Sequence, residues 1–338
     1  MRHKIIVISL SIFLAFSSCK PKTDESNKGI DTYLTEVIDI LKKNSIQKDE
    51  INWDSLSIKL KSKYPKIDND STKHSAVKWI IKENKLKHHS FMSPDEVTKW
   101  KNQSSRNIEE DEKPTLTFPS GSLLDQKIGY IKIPMFRSGD SIQLTKYAQR
   151  TQLDIKDLKD QGAKNWIVDL RGNRGGNMWP MISGLGNLIG EGKIGSFYKV
   201  NGEESGIWYY KAGKAYVKHK DSITYSVSTI PLNNDITVNK IAILQDRYTM
   251  SSGEAVLVSF LGKSKVKTFG ENSGGYSTGN SNFDLSDGAI LLVTTSVYAD
   301  RNSNLYPNGI IPMVYVHKDS SIIDKASSWI TNKATSGN

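Results

Sequence analysis

Ser251-Ser252-Gly253-Glu254 stands between two apolar runs, Ile241-Ala242-Ile243-Leu244 and Ala255-Val256-Leu257-Val258. The first run is a short buried strand and the second the body of a helix. Ser251-x-x-Glu254 is a capping-box pattern, which sets Ser251 on a tight strand-to-helix turn. Unpaired backbone N–H groups and the helix dipole favour negative charge there, as a developing oxyanion requires. A serine at that place can be a nucleophile. It can equally be an ordinary N-cap serine, so the chemistry depends on partners elsewhere.

Two other stretches qualify as partners. Lys87-His88-His89-Ser90-Phe91-Met92 holds two of the six histidines; by itself it also reads as a frayed, surface helix end. Trp166-Ile167-Val168-Asp169-Leu170 is a buried strand running into Arg171-Gly172-Asn173-Arg174-Gly175-Gly176-Asn177. Glycine tolerates the dihedrals of such a turn and lets atoms approach closely, so its N–H groups can be aimed at a substrate carbonyl. The turn lacks the GxGxxG and GxxxxGK[ST] spacings of nucleotide loops. A histidine base, backbone donors and a serine are the parts acyl transfer needs.

The elements that must position these parts follow in order. Tyr33-Leu34, Val37-Ile38 and Ile40-Leu41 form an amphipathic helical stripe, Asp54 can cap a second helix, and Ser71 or Thr72 a third. Residues 31–92 thus form a small N-terminal helical subdomain, and 93–125 a linker or flap without a further helix. Ile128-Gly129-Tyr130-Ile131-Lys132-Ile133 opens a strand–helix–strand–helix order, with helices at about 141–161 and 178–189, hence an α/β core over 126–320. Hairpin strands follow between Phe197 and Val227 and between Phe283 and Tyr298, and residues 321–338 are a C-terminal helix and tail.

Composition and the N-terminus set the context. The 338 residues carry 46 Lys+Arg against 36 Asp+Glu, a formal charge of +10. The lysines are spread along the chain without aromatic interleaving, which disfavours nucleic acid as a partner. Met1-Arg2-His3-Lys4 is a basic start and Ile5 to Phe16 an apolar run too short to span a bilayer. It ends at Ser17-Ser18-Cys19, the only cysteine. This resembles a bacterial lipoprotein signal at 1–18, with Cys19 lipidated and 19–30 a polar tether; a plain secretory signal is the alternative. A single cysteine leaves no internal disulfide.

Together the core stretches resemble the tail-specific (C-terminal processing) protease family of serine peptidases. The matching segments are Ile128–Ile133, Val168–Gly176, Thr249–Glu254, Thr268-Phe269-Gly270-Glu271-Asn272-Ser273-Gly274-Gly275 and Gly309-Ile310-Ile311-Pro312. The resemblance implies a crotonase/Clp-protease-like α/β core, with Ser251 as nucleophile. It also implies oxyanion donors from Gly175, Gly176 and the N–H of Ser252. Members with a Ser-Lys dyad carry the base just after Thr-Phe-Gly; here that residue is Glu271, and Lys263, Lys265 and Lys267 precede it. The chain therefore looks similar to the tricorn-like branch, whose base is an upstream histidine. His89 matches that position, with His88 as the second candidate, although Lys87 stands where an acid is usual. That branch also uses a late carboxylate; Tyr306 and Asn308 occupy the matching stretch, with Asp300 the nearest acid. About 35 residues separate Met92 from Ile128, too few for a PDZ domain.

The function implied is a lipid-anchored envelope serine endopeptidase, on the periplasmic side or the cell surface. It would act on peptide or protein substrates with no metal or other cofactor. The alternatives are a weak or inactive binding lipoprotein on the same fold and a hydrolase of non-peptide acyl esters. A histidine of ordinary pKa as base predicts acylation rising with pH through roughly 6 to 7.

Overall fold

The computed structural model describes residues 31–105, 116–229, 236–317 and 321–332. The expected signal peptide, Cys19 and the tether lie outside the described residues.

Alternating burial explains the central layer. Trp166 and Val168 on β4 (Asn165–Asp169) and Ile241 and Ile243 on β9 (Ile241–Gln245) join one apolar core. The intervening Ile167, Ala242 and Leu244 join another on the opposite face. Both strands are therefore buried on two sides, as parallel strands between helical layers are. The sheet adds β3 (Ile128–Lys132), β10 (Val266–Gly270), β13 (Val314–Tyr315) and β2 (Ser120–Leu124), in the order β13-β10-β9-β4-β3-β2. All pair in parallel except β2, which is antiparallel to β3. Helices α5 (Ser141–Asp160), α6 (Met178–Ile189) and α7 (Ser252–Phe260) supply the first core. Helix α8 (Ile322–Thr331) covers the second. The α/β class expected from sequence is the one observed.

A second sheet is antiparallel. Strands β5 (Gly192–Lys199), β6 (Glu204–Lys211), β7 (Lys214–His219) and β8 (Ser222–Ser228) form a meander, joined through β5 to β12 (Ile290–Ala299). β12 also pairs with β1 (Ser90–Met92) and β11 (Thr278–Asp284). Three helices, α1 (Thr32–Asn44), α2 (Trp53–Lys63) and α3 (Asp70–Glu83), bury Leu34, Ile38, Leu41, Leu60 and Ile80. The same core takes in Phe91 of β1 and Leu291 and Val293 of β12, so the N-terminal helices rest on the second sheet.

Three local expectations are corrected. Helix α2 is capped by Asn52, whose Oδ1 accepts from Ser55 N at 2.9 Å, and not by Asp54, which lies in its first turn. Helix α3 begins at Asp70 under an Asn69 cap, ahead of Ser71 and Thr72. The stretch expected to be a linker or flap contains α4 (Pro94–Ser105) and β2. A proline at the first helical position followed by Asp95 and Glu96 suits a helix N-terminus, and Glu96 accepts from Ser93 N at 2.7 Å.

Candidate active site

Ser251 has φ 51° and ψ −117°, a region that residues with a Cβ seldom occupy. The strain is held by two clamps. Glu254, fully buried, accepts from Ser251 N at 2.9 Å, and also from Ser273 Oγ, Gly275 N and Tyr276 N at 2.6, 2.9 and 2.8 Å. Burial raises the pKa of this carboxyl, and the four donors offset that rise only in part. Asn173, also fully buried, takes the Met250 N–H on its carbonyl at 2.9 Å and donates from Nδ2 to Ile133 O at 3.0 Å. The serine thus sits on a sharp strand-to-helix elbow fixed to β3, the Gly-Gly turn and the 273–276 loop. Such strain is characteristic of nucleophile elbows.

His88 lies beside it. Its Nε2 is 3.2 Å from Ser251 Oγ and its Nδ1 is 2.8 Å from Thr278 Oγ1. The Tyr276 ring stands edge-on to the imidazole at 5.4 Å, and Asn280 Nδ2 donates to His88 O at 2.8 Å. Burial, then the neighbouring His89, lowers the His88 pKa to about 4, so the ring is neutral at pH 7. A neutral imidazole has one N–H. With Nδ1–H donating to Thr278, Nε2 keeps the lone pair that can take the Ser251 proton. The Tyr298 hydroxyl also hydrogen-bonds with Ser251, and burial raises its pKa well above the usual phenol value.

The expectation of His89 as base is corrected. His89 is 7% exposed, with Nδ1 donating to Lys87 O at 3.0 Å and Nε2 facing Ser45 Oγ at 3.0 Å. Its ring joins the end of α1 to Thr294 on β12 and does not meet Ser251. The exchange has a local cause. His88 adopts a left-handed φ of 64° just before β1, which reverses which of the two rings faces the serine.

The expected oxyanion donors also separate. Gly175 N–H is already used, donating to Asn173 Oδ1 at 3.0 Å. The N–H groups of Gly176 and Ser252 meet no acceptor among the described residues. Ser252 Oγ donates to Gly176 O at 2.5 Å, tying the head of α7 to the Gly-Gly turn. Gly175 instead makes room for the Ser251 side chain. At its φ of 97°, a Cβ would lie 2.9 Å from Ser251 Cβ and 3.1 Å from Ser252 N.

Asp300 is no partner of His88. Its carboxylate is spent on Tyr306 Oη at 2.9 Å and on Asn304 Nδ2 at 3.0 Å. Lys263 donates to Leu188 O and Ile189 O at 3.0 and 2.8 Å, Lys265 to Val238 O at 3.0 Å, and Lys267 lies over Trp329. None of the three faces the serine. Thr278 and Tyr298 were missed from sequence, where each reads as one more residue of a strand; no motif marks them. Among the described residues no group of three or more metal-ligating side chains is present.

Ser251, Ser252 and His88 open on a cavity of about 930 Å³ between the end of α1 and the turns of the β5–β8 meander. Residues 127–316 match the family described as Peptidase family S41. The chain belongs to peptidase family S41. Among S41 and related proteins, the nisin-resistance protein of Lactococcus lactis subsp. lactis is 29% identical over 248 residues, 72% of this chain and 70% of that protein. The carboxy-terminal processing protease CtpA of Bacillus subtilis is 26% identical over 178 residues, covering 51% of this chain but 34% of its own length. A solved lipoprotein from Streptococcus agalactiae superposes with a TM-score of 0.64 at 23% identity, over 94% of this chain and 100% of that one. S41 membership of the tail-specific type makes the α/β core a peptidase core.

The effect of the Thr278 hydroxyl on His88 can be tested directly. Thr278→Asp places a carboxylate against His88 Nδ1, and an adjacent anion raises a histidine pKa by about 1–3 units. The midpoint of the pH–acylation curve should move up by at least about one unit; titrating fluorophosphonate reaction rates in the two proteins measures it.

Proposed function

We propose that the chain is a serine-type endopeptidase in which Ser251 is the nucleophile and His88 the general base. The observation that carries this is the 3.2 Å approach of His88 Nε2 to Ser251 Oγ at a strained helix N-terminus. Ser251 Oγ attacks the peptide carbonyl carbon while its proton passes to His88 Nε2. The N–H groups of Gly176 and Ser252 hold the oxyanion. His88 returns the proton to the amine as the C–N bond breaks, leaving an acyl-enzyme. Water, deprotonated by His88, then attacks the ester and frees the acid and the serine. A binding lipoprotein is the second reading, favoured by Thr278 where a triad has a carboxylate. Mass spectrometry of peptide mixtures incubated with the wild-type protein and with Ser251→Ala separates the two: cleavage by the wild type alone supports the peptidase.

The envelope location rests on the Ser17-Ser18-Cys19 sequence. It is consistent with a structural relative named as a lipoprotein. Among the described residues no helix is long and apolar enough to cross a membrane; the proposed anchor is the lipid on Cys19, on the strength of the Ser17-Ser18-Cys19 sequence. Cys19→Ala should move the protein from the membrane to the soluble fraction or leave it unprocessed, as immunoblotting of cell fractions would show.

A further inference from the structure

The cavity in front of Ser251 has two walls, and both are cationic. Lys43 near the end of α1 and Lys48 just beyond it line one; Lys199, Lys218 and Lys220, from the ends of β5 and β7, line the other. Only two carboxylates line the same space, Glu203 and Glu204. Each is neutralised within its own sheet: Glu203 by Lys199 at 3.0 Å and Glu204 by Lys193 at 2.6 Å. Lys43 and Lys48 form no ion pair with a described residue, and Lys220, without a close pair of its own, adds to the positive charge around Glu203. Lys43 has a structural use, because a cation in the last turn offsets the helix dipole. Lys48 and Lys220 lie outside any α-helix. Lys43, Lys199 and Lys220 are exposed and Lys48 and Lys218 half-buried around this groove, and a ligand that supplies carboxylates between the two walls offsets their like charge.

We infer that this groove selects peptide segments bearing carboxylates, placing acidic side chains or a free C-terminus between the two lysine walls. The inference rests on the peptidase reading for its choice of ligand but not on turnover. It is therefore tested as binding to Ser251→Ala, which stops cleavage. The probes are blocked twelve-residue peptides with one uncharged fluorophore and one backbone sequence, carrying glutamate, glutamine or lysine at the same alternate positions. A fourth is the glutamine peptide with a free C-terminal carboxylate. Fluorescence anisotropy at about 0.05 M salt should show the glutamate peptide bound roughly fivefold or more tightly than the glutamine one, and the lysine peptide weakest. The gap should shrink at about 0.5 M salt, where screening is shorter-ranged.

A gain confined to the free C-terminus identifies the terminal carboxylate as the group selected; a gain with glutamate identifies side chains. Lys48→Glu combined with Lys220→Glu should bring the lysine peptide above the glutamate one, with circular dichroism reporting that the variant is folded. Equal binding of the glutamine and both carboxylate peptides, no binding of any, or an order unchanged by the double reversal overturns the inference. Failure of the wild type to react with a fluorophosphonate removes the peptidase reading and leaves this binding order standing or falling by itself.

Discussion

Ser251→Ala should abolish reaction with a fluorophosphonate and lower peptide hydrolysis by about six orders of magnitude, the scale on which loss of a serine nucleophile acts in other peptidases. The neighbouring serine cannot take over. Ser252 is buried and its Oγ is committed to Gly176 O, whereas Ser251 is partly exposed to the cavity and faces an imidazole lone pair. Alanine removes only the hydroxyl; the Ser251 N–H still reaches Glu254, so the elbow should stay folded. Ser252→Ala keeps the backbone N–H assigned to the oxyanion and should still react. Labelling of both variants, followed by mapping of the modified peptide, checks this; an adduct that survives in Ser251→Ala and vanishes in Ser252→Ala reverses the assignment.

His88→Ala and His89→Ala should differ in kind. The first removes the group 3.2 Å from Ser251 Oγ, and loss of general-base help should slow acylation by about two to four orders of magnitude. The second should slow acylation by less than about tenfold, since that ring lies outside the reacting group. It should instead destabilise the fold by about 1–3 kcal/mol, because the buried Ser45 and Thr294 hydroxyls lose a partner. Stopped-flow labelling and urea unfolding of both variants separate the effects. A His88→Ala protein that acylates normally while His89→Ala does not would return the base to the residue expected from sequence.

These two histidines show where sequence stops being informative. The core was legible because its apolar runs are short and well bounded: Ile241–Leu244 and Trp166–Leu170 read as buried strands, and the elbow followed from a serine between a strand and a capped helix. The choice between His88 and His89 turned on one left-handed φ, a property of a turn that composition does not reveal. Gly175 invites a donor role because glycine turns offer free N–H groups. The structure shows that its N–H belongs to Asn173 and that its lack of a Cβ makes room for the serine. Thr278 comes to His88 through β11, 190 residues away, a separation no local pattern spans.

The pH dependence of Ser251 acylation tests the central claim most directly. Burial and His89 lower the His88 pKa from the usual 6.5 to about 4, so the base is already neutral across the range where a solvated histidine titrates. The sign follows from the lone pair: activity needs neutral His88, is fully present above the lowered pKa, and falls as pH drops through it. The same shift makes the unfolded chain the better proton acceptor between pH 4 and 6.5, so stability declines as pH falls through that window. Acylation rates should therefore be taken by rapid pH jump from about pH 7. The account predicts a rate nearly flat from about pH 8 to 6 that halves near pH 4. A midpoint at roughly 6–7 or above, or a profile unchanged in His88→Ala, contradicts it.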